Sequence, residues 1–325
     1  MRGRNFGAGR ARVRPAWSVI LLTTLIGVGQ GLFAALYAVQ ALDRAPAGGT
    51  FYWGGAALAL ALLAAGLVAS FFHLGRPERA WRAVAMWRTS WLSREVIVLP
   101  AFMASVFLWG LGHYLGRPAG GLGGTLAIGA VGCVLCAALF LCTGMIYACI
   151  RFLAEWHSPL TVVNYALLGC ASGLMLATGY AALVDPALVR ALAAWTAAVT
   201  IAAFATRAAS LARNARLRPR STLQTAIGVK HPRIAQIAQG FMGGSFNTRE
   251  FFHGATASLV RRIKWTFLVA AFPVPLVLLA AGLAWQVPAL FGLAFAVQYA
   301  GLLAERWFFF AQANHPQNLY YQRIS

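Results

Sequence analysis

The sequence predicts an all-α, polytopic membrane protein, a bundle of eight transmembrane helices. Of its 325 residues, 60% are hydrophobic and only 10% are charged, whereas soluble domains carry about 25% charged residues. Too few charged side chains are present to cover a water-exposed surface of this size, so lipid must surround most of the chain. This composition excludes a soluble enzyme, a disordered chain and a soluble nucleic-acid-binding protein.

Seven long apolar stretches supply these helices, because a membrane span needs about 20 apolar residues and the last stretch is long enough for two. We expect the first stretch to be retained, since it is too long for a signal peptide. Pro273 and Pro275 can kink the seventh span, and Pro288 marks a reversal before the eighth. The stretches are residues 15–42, 45–75, 96–116, 118–150, 156–184, 187–206 and 265–304.

We treat residues 1–325 as one transmembrane domain with a long polar loop at about 214–263. Positive charge is concentrated on one side of it. Of the 27 Lys and Arg residues, 24 belong to the termini and to the segments after spans 2, 4 and 6. Cytoplasmic loops of membrane proteins carry an excess of Lys and Arg, so we expect both termini in the cytoplasm. The three cations on the opposite side are Arg44, Arg117 and Arg190.

The apolar spans limit the chemistry that this chain can perform. No span carries a carboxylate or Lys near its midpoint, which disfavours an ion-coupled transporter. None of the six histidines lies deep in a span, so we expect no haem. Cys133 and Cys136 stand one helical turn apart, but no second pair or histidine follows at zinc or iron–sulfur spacing. We therefore expect no metal and no iron–sulfur cluster in this chain.

One cluster of reactive side chains remains, at the cytoplasmic edge of spans 2 and 3. His73 ends span 2, Glu95 opens span 3, and an amphipathic, Trp-rich connector at 78–88 suits the membrane interface. A histidine at the lipid boundary can donate a hydrogen bond to a quinone carbonyl, and a carboxylate can relay protons. The alternative is that His73 is only an interfacial residue and that Glu95 pairs with Arg94 or Arg76.

The motifs His73-Leu74-Gly75 and Ser93-Arg94-Glu95, in an eight-span layout, resemble the membrane anchor subunit of dimethyl sulfoxide reductase over essentially the whole chain. The resemblance implies a bacterial inner-membrane subunit that binds quinone (ubiquinone or menaquinone) at His73 and Glu95. It also implies two partners, an iron–sulfur electron-transfer subunit and a molybdopterin catalytic subunit. At such a site, Arg76 and Arg94 would tune the electrostatics and Trp91 would pack on the quinone ring.

The cytoplasmic orientation departs from dimethyl sulfoxide reductase, whose catalytic subunits are periplasmic. The chain looks more like the anchor of cytoplasm-facing, membrane-bound sulfite dehydrogenase, to which segments 229–233 and 240–254 are also similar. Aromatic and Arg side chains in this loop suit a docking surface, although the loop could instead fold back as a local cap. The expected docking residues are Arg233, Phe241, Phe246, Arg249 and Phe251.

The resemblance therefore favours a haem-free anchor that passes electrons from sulfite oxidation to quinone. One alternative is a dimethyl sulfoxide reductase anchor that oxidises quinol. Another, from a different class, is a transporter or a purely structural anchor.

The charge asymmetry predicts the side of the membrane on which the C-terminus lies. Green fluorescent protein fused after Ser325 should fluoresce in bacterial cells, and alkaline phosphatase at the same point should be inactive. A phosphatase fused in the short loop at Arg117 should be active and serves as the control. An active phosphatase at the C-terminus would reverse the predicted orientation.

Overall fold

The computed structural model describes residues 16–42, 48–72, 74, 76–117, 124–218, 222–234 and 255–314. Eight of its helical stretches are long and apolar enough to cross a membrane, which confirms the predicted eight-span, all-α fold. The helices are α1 (Trp17–Ala41), α2 (Gly49–Phe71), the 3-10 helix η1 (Pro77–Met86), α3 (Trp91–Tyr114), α4 (Thr125–Ala148), α5 (Pro159–Val184), the 3-10 turn η2 (Pro186–Leu188), α6 (Val189–Ala215), α7 (Leu223–Ile227), α8 (Ala257–Ala271), α9 (Pro273–Trp285) and α10 (Pro288–Ala311).

The spans form two four-helix groups that share one seam. Helices α1 to α4 pack in a ring, each against the next, and α4 also contacts α1. Helices α5, α6 and α10 form the second group with the broken span α8–α9. The groups meet where α1 packs along α5, with further contacts from α4 and α10. Residues on α1 and α5 therefore face both groups.

Glycines allow α1 and α5 to approach until their backbones touch. Gly27 and Gly31 lie one turn apart on α1, and Gly169 and Gly173 lie one turn apart on α5. A Cβ atom on Gly31 would overlap the Gly169 carbonyl, and one on Gly173 would overlap the backbone of Gly31. The hydrophobic effect does not drive helices together within lipid, so the close van der Waals packing that such small residues permit stabilises the contact.

The seventh span is broken at its prolines, as the sequence predicts. Helix α8 ends at Ala271 and α9 begins at Pro273, with Phe272 between them at φ −124° and ψ −77°. A proline cannot donate the next helical hydrogen bond and crowds the residue before it. The predicted reversal at Pro288 is also confirmed: Gln286 takes a left-handed φ of 56°, and α10 starts at Pro288.

Two spans extend beyond the apolar stretches that predict them. Helix α6 continues past Arg207 to Ala215, and α10 continues past Glu305 and Arg306 to Ala311. The predicted ends at residues 206 and 304 are wrong because these charged side chains pair with one another inside the bundle, so their charge does not end the span. Helix α8 begins at Ala257, within the segment assigned to the long polar loop.

The connector between α2 and α3 is the 3-10 helix η1, which packs against α3. The Trp81 side chain is 71% exposed, and the guanidinium of Arg82 lies 5.4 Å from its ring centroid. Arg88 and Trp87 form a second such pair. Indole and guanidinium groups together favour the boundary between lipid and water. We call this end of the bundle the connector end.

The glycine contact predicts a position-specific loss of stability. Gly173→Ala inserts a methyl group into the α1 backbone and should cost about 1–3 kcal/mol, the usual cost of overpacking. Gly292→Ala is the matched control, because nothing lies within 4 Å of its added Cβ. Thermal unfolding of the detergent-solubilised protein measures both. Equal melting temperatures for the two variants would contradict the close-packed seam.

Candidate functional site

A small cavity lies at the connector end of the seam, about 10 Å³ in volume. That volume is enough for about one water molecule. Gly27 and Gly169 form part of its wall, so the close approach of α1 and α5 sets its width. Five helices contribute to the lining. The polar side chains are Thr23, Thr24 and Gln30 from α1, Glu95 from α3, Thr143 from α4, Tyr165 from α5 and Arg306 from α10.

Glu95 reaches this cavity because of where α3 begins. The Ser90 side chain caps the helix by accepting a hydrogen bond from the Ser93 amide at 3.3 Å. Glu95 is the fifth residue of α3, about 6 Å along its axis from Trp91, and shares a buried face with Leu99 and Phe102. Its side chain is only 8% exposed. The Thr143 hydroxyl donates a hydrogen bond to its carboxylate.

Arg94 points elsewhere and fixes the turn between η1 and α3. Its guanidinium donates to the carbonyls of Trp87 at 2.9 Å and Arg88 at 2.8 Å. It also lies 4.2 Å from the ring centroid of Trp91. Within the described residues, no cation lies within ion-pair distance of the Glu95 carboxylate. The structure therefore shows that Glu95 does not pair with Arg94, which was one of the two pairings that the sequence left open.

The other predicted site residues fall into two groups. Trp91 is partly exposed beside Arg94, and Arg76 and Arg233 are exposed. His73 and four of the five predicted docking residues lie outside the described residues: Phe241, Phe246, Arg249 and Phe251. The structure thus places Glu95 in the cavity lining and pairs Arg94 with Trp91 outside that lining.

A buried charge cluster that the sequence pattern did not reveal stands beside the same cavity. The Glu305 carboxylate lies 2.7 Å from Nε of Arg207 and 3.4 Å from Nε of Arg306. Glu305 and Arg207 are each 1% exposed, and Arg306 is 3% exposed. Counting charges along the chain places both arginines in polar segments. One signal could have identified Arg306: an apolar run resumes directly after it, as Trp307-Phe308-Phe309-Phe310.

Aromatic rings complete the cluster. The Arg306 guanidinium lies 3.7 Å from the ring centroid of Tyr165, and Arg207 lies 5.5 Å from that of Phe267. Arginine suits such a site because its planar, weakly hydrated group stacks on aromatic faces. Two cations and one anion leave the cluster with one surplus positive charge. Arg306 is the member of the cluster that also lines the cavity.

The cavity has no room for an aromatic ring. A ring-sized ligand therefore does not fit beside Glu95, whereas a single water molecule does. Among the described residues, no group of three or more His, Cys, Asp or Glu could hold a metal ion. The arrangement suits proton transfer to and from the buried carboxyl group of Glu95.

Comparisons with known proteins agree over nearly the full chain. A family model described as "DMSO reductase anchor subunit (DmsC)" matches residues 13–310. The chain is also similar to a protein of Allochromatium vinosum that is named as a sulfite dehydrogenase subunit. The two are 54% identical over 328 residues, which cover 96% of this chain and 100% of that protein. Both matches include the helices that line the cavity.

The buried cluster predicts a large effect from loss of its single anion. Glu305→Gln leaves Arg207 and Arg306 buried without their ion-pair partner, and removing one partner of a buried ion pair costs about 3–5 kcal/mol. Glu78→Gln is the matched control: Glu78 faces Arg79 at 4.0 Å on the surface, where such pairs contribute about 0–1 kcal/mol. Membrane yield and thermal unfolding measure both. Similar stability of the two variants would contradict the cluster.

Proposed function

The chain belongs to the DMSO reductase anchor subunit family, and we propose that, as the membrane anchor of a molybdopterin oxidoreductase complex, it exchanges electrons between an iron–sulfur subunit and the quinone pool. The protein is a multi-pass membrane protein. Its catalytic and electron-transfer partners are separate chains, so the substrate pocket is not in this polypeptide. The buried Glu95 carboxylate in its water-sized cavity is the observation that carries the proposal.

The favoured substrate of the complex is sulfite, on the strength of the relative's name. In that reaction sulfite and water give sulfate, two protons and two electrons, and a quinone takes up two electrons and two protons to become quinol. The positive charge of the termini and long polar segments favours the bacterial inner membrane with the connector end facing the cytoplasm. Sulfite oxidation would then take place on the cytoplasmic side.

We assign the proton chemistry to Glu95 and the binding of the quinone carbonyl to His73. A bound quinone supplies the two-electron, two-proton acceptor chemistry. His73 would donate a hydrogen bond to the carbonyl, and Glu95 would deliver protons that enter from the connector end. Trp91 would flank the ring. Arg94 holds the turn through backbone carbonyls, so its role, like that of the exposed Arg76, would be electrostatic.

The connector end also suits the docking of the iron–sulfur subunit. Arg213 donates to the carbonyls of Ala154 and His157 at 3.1 and 3.0 Å, and Asn314 donates to the Glu155 carboxylate at 2.6 Å. These bonds hold the loop between α4 and α5 in one shape. We propose that the partner contacts this face and the long polar segment, through Arg233, Phe241, Phe246, Arg249 and Phe251. The anchor itself would carry no haem and no cluster, so electrons would pass directly to quinone.

A dimethyl sulfoxide reductase anchor that oxidises quinol is the second candidate, since the family model carries that description. It would run the same site in the reverse direction. Two measurements separate the candidates: the side on which the C-terminus lies, and whether the purified complex oxidises sulfite with a quinone analogue or reduces dimethyl sulfoxide with a quinol.

Loss of the Glu95 carboxylate should separate quinone chemistry from assembly. In the complete complex, Glu95→Gln should lower quinone-coupled turnover by about 10²-fold or more, the usual contribution of a general acid or base. Activity with an artificial dye, which bypasses the quinone site, should persist. His73→Gln should behave alike.

The control for these variants is Glu78→Gln on the exposed connector, which should leave both activities intact. Normal quinone reduction by Glu95→Gln would remove Glu95 from the site. Loss of dye activity together with quinone activity would indicate a failure of assembly instead.

A further inference from the structure

We propose that Arg306 is a positioning residue that keeps Glu95 in its carboxylate form by acting across the cavity, and that Glu305 and Arg207 hold Arg306 in place. The inference rests on the proposed function for the role of Glu95 in turnover. The electrostatic coupling between Arg306 and Glu95 is argued only from the geometry of the cavity and of the charge cluster.

The shared cavity is the first support. Glu95 from α3 and Arg306 from α10 belong to different four-helix groups, yet both line the same water-sized space. No direct ion pair joins them within the described residues. The wall of this space includes the side chains of Thr23 and Thr24. A single water there could bridge the two charges and carry a proton to the carboxylate.

The charge balance is the second support. Arg207, Glu305 and Arg306 together carry one surplus positive charge, and each is at least 97% buried. Buried charge is costly unless an opposite charge compensates it. An ionised Glu95 supplies the missing negative charge, so the four side chains sum to zero. A neutral Glu95 would leave the surplus uncompensated.

No other described group near Glu95 supplies a positive charge that would balance its carboxylate. The described part of α1 contributes no charged side chain. On α4 and α5, the groups within electrostatic range of Glu95 are Cys142, Tyr147 and Tyr165, all neutral in their usual protonation states. On α3, the Arg94 guanidinium is directed to connector carbonyls and does not line the cavity.

The remaining charges pair with each other. Arg207 on α6 balances Glu305 at 2.7 Å. Arg306 is therefore the cation whose charge is left for Glu95. Its guanidinium cannot easily turn away, because it is stacked on Tyr165 at 3.7 Å and contacts Glu305 at 3.4 Å.

The consequence concerns the resting state of the site. A carboxylate can accept a proton from the connector end and pass it on, whereas a carboxyl that is already neutral cannot accept one. Without the charge of Arg306, Glu95 would stay protonated at rest and would release its proton to the quinone site more slowly, while the site outside the cavity stays intact. The effect should therefore appear in kcat for quinone and not in its KM.

The experiment is infrared spectroscopy of the purified complete complex with ¹³C-labelled glutamate at pH 7. Arg306→Gln should show a new C=O stretch from a protonated glutamate that the unmodified complex lacks. The band should be missing in Arg306→Gln/Glu95→Gln, which assigns it to Glu95. Arg306→Lys keeps the charge and should lack the band. Quinone-coupled kcat of Arg306→Gln should fall about tenfold or more with KM unchanged.

Folding of the variants is expected because Arg306→Gln leaves the Arg207–Glu305 pair balanced. Should Arg306→Gln fail to copurify with its partners, the double variant should restore copurification, since it removes one buried charge of each sign. An assembled Arg306→Gln complex without the new band would overturn the inference, and so would a double variant no better assembled than the single one. Normal quinone turnover in Glu95→Gln would overturn the proposed function but not the coupling that the band reports.

Discussion

The backbone contact between α1 and α5 is the constraint on which the rest of the structure depends. Gly31 and Gly173 leave no space for side chains between the two helices, so the two four-helix groups are joined along a narrow seam. That seam brings α3 and α4 from one group within reach of α10 from the other. Because Gly27 and Gly169 line the cavity, the same contact limits it to about one water molecule. A wider seam would admit more water beside Glu95 and would weaken the electrostatic effect of Arg306.

The fold was largely predictable from the sequence because lipid imposes a simple rule. A span must be long and apolar, and eight such spans could be counted directly, including the break at Pro273 and the reversal at Pro288. This rule fails to predict where a span ends when a charged side chain is paired with an opposite charge inside the bundle. Arg207 and Glu305 stand far apart in sequence, so counting charge along the chain cannot reveal that they meet in space. Only the resumption of aromatic residues after Arg306 indicated that α10 continues.

The candidate site was predictable in part, for a related reason. Glu95 was identified because few carboxylates are present and it lies at a span end near a histidine. Its surroundings depend on Thr143 and Arg306, which come from distant helices, and no local pattern marks them. Arg94 shows that a residue next to Glu95 in the sequence need not lie beside its side chain in the structure. It is next to Glu95 in the chain but points toward the connector carbonyls, because neighbouring residues on a helix face different directions.

The buried charges also bear on how a membrane anchor can take part in redox chemistry that another chain begins. A quinone that gains two electrons must gain two protons, and in lipid those protons cannot come directly from bulk water. The electrons would come from another chain, so under the proposed function the specific contribution of this one would be to hold a carboxylate where protons and the quinone site meet. A carboxylate in an apolar bundle needs a compensating charge, and a lone arginine beside it would form a tight pair that blocks proton transfer. Placing Arg306 across a water-sized gap, with Glu305 to hold it, compensates the charge and leaves the carboxylate free to accept a proton.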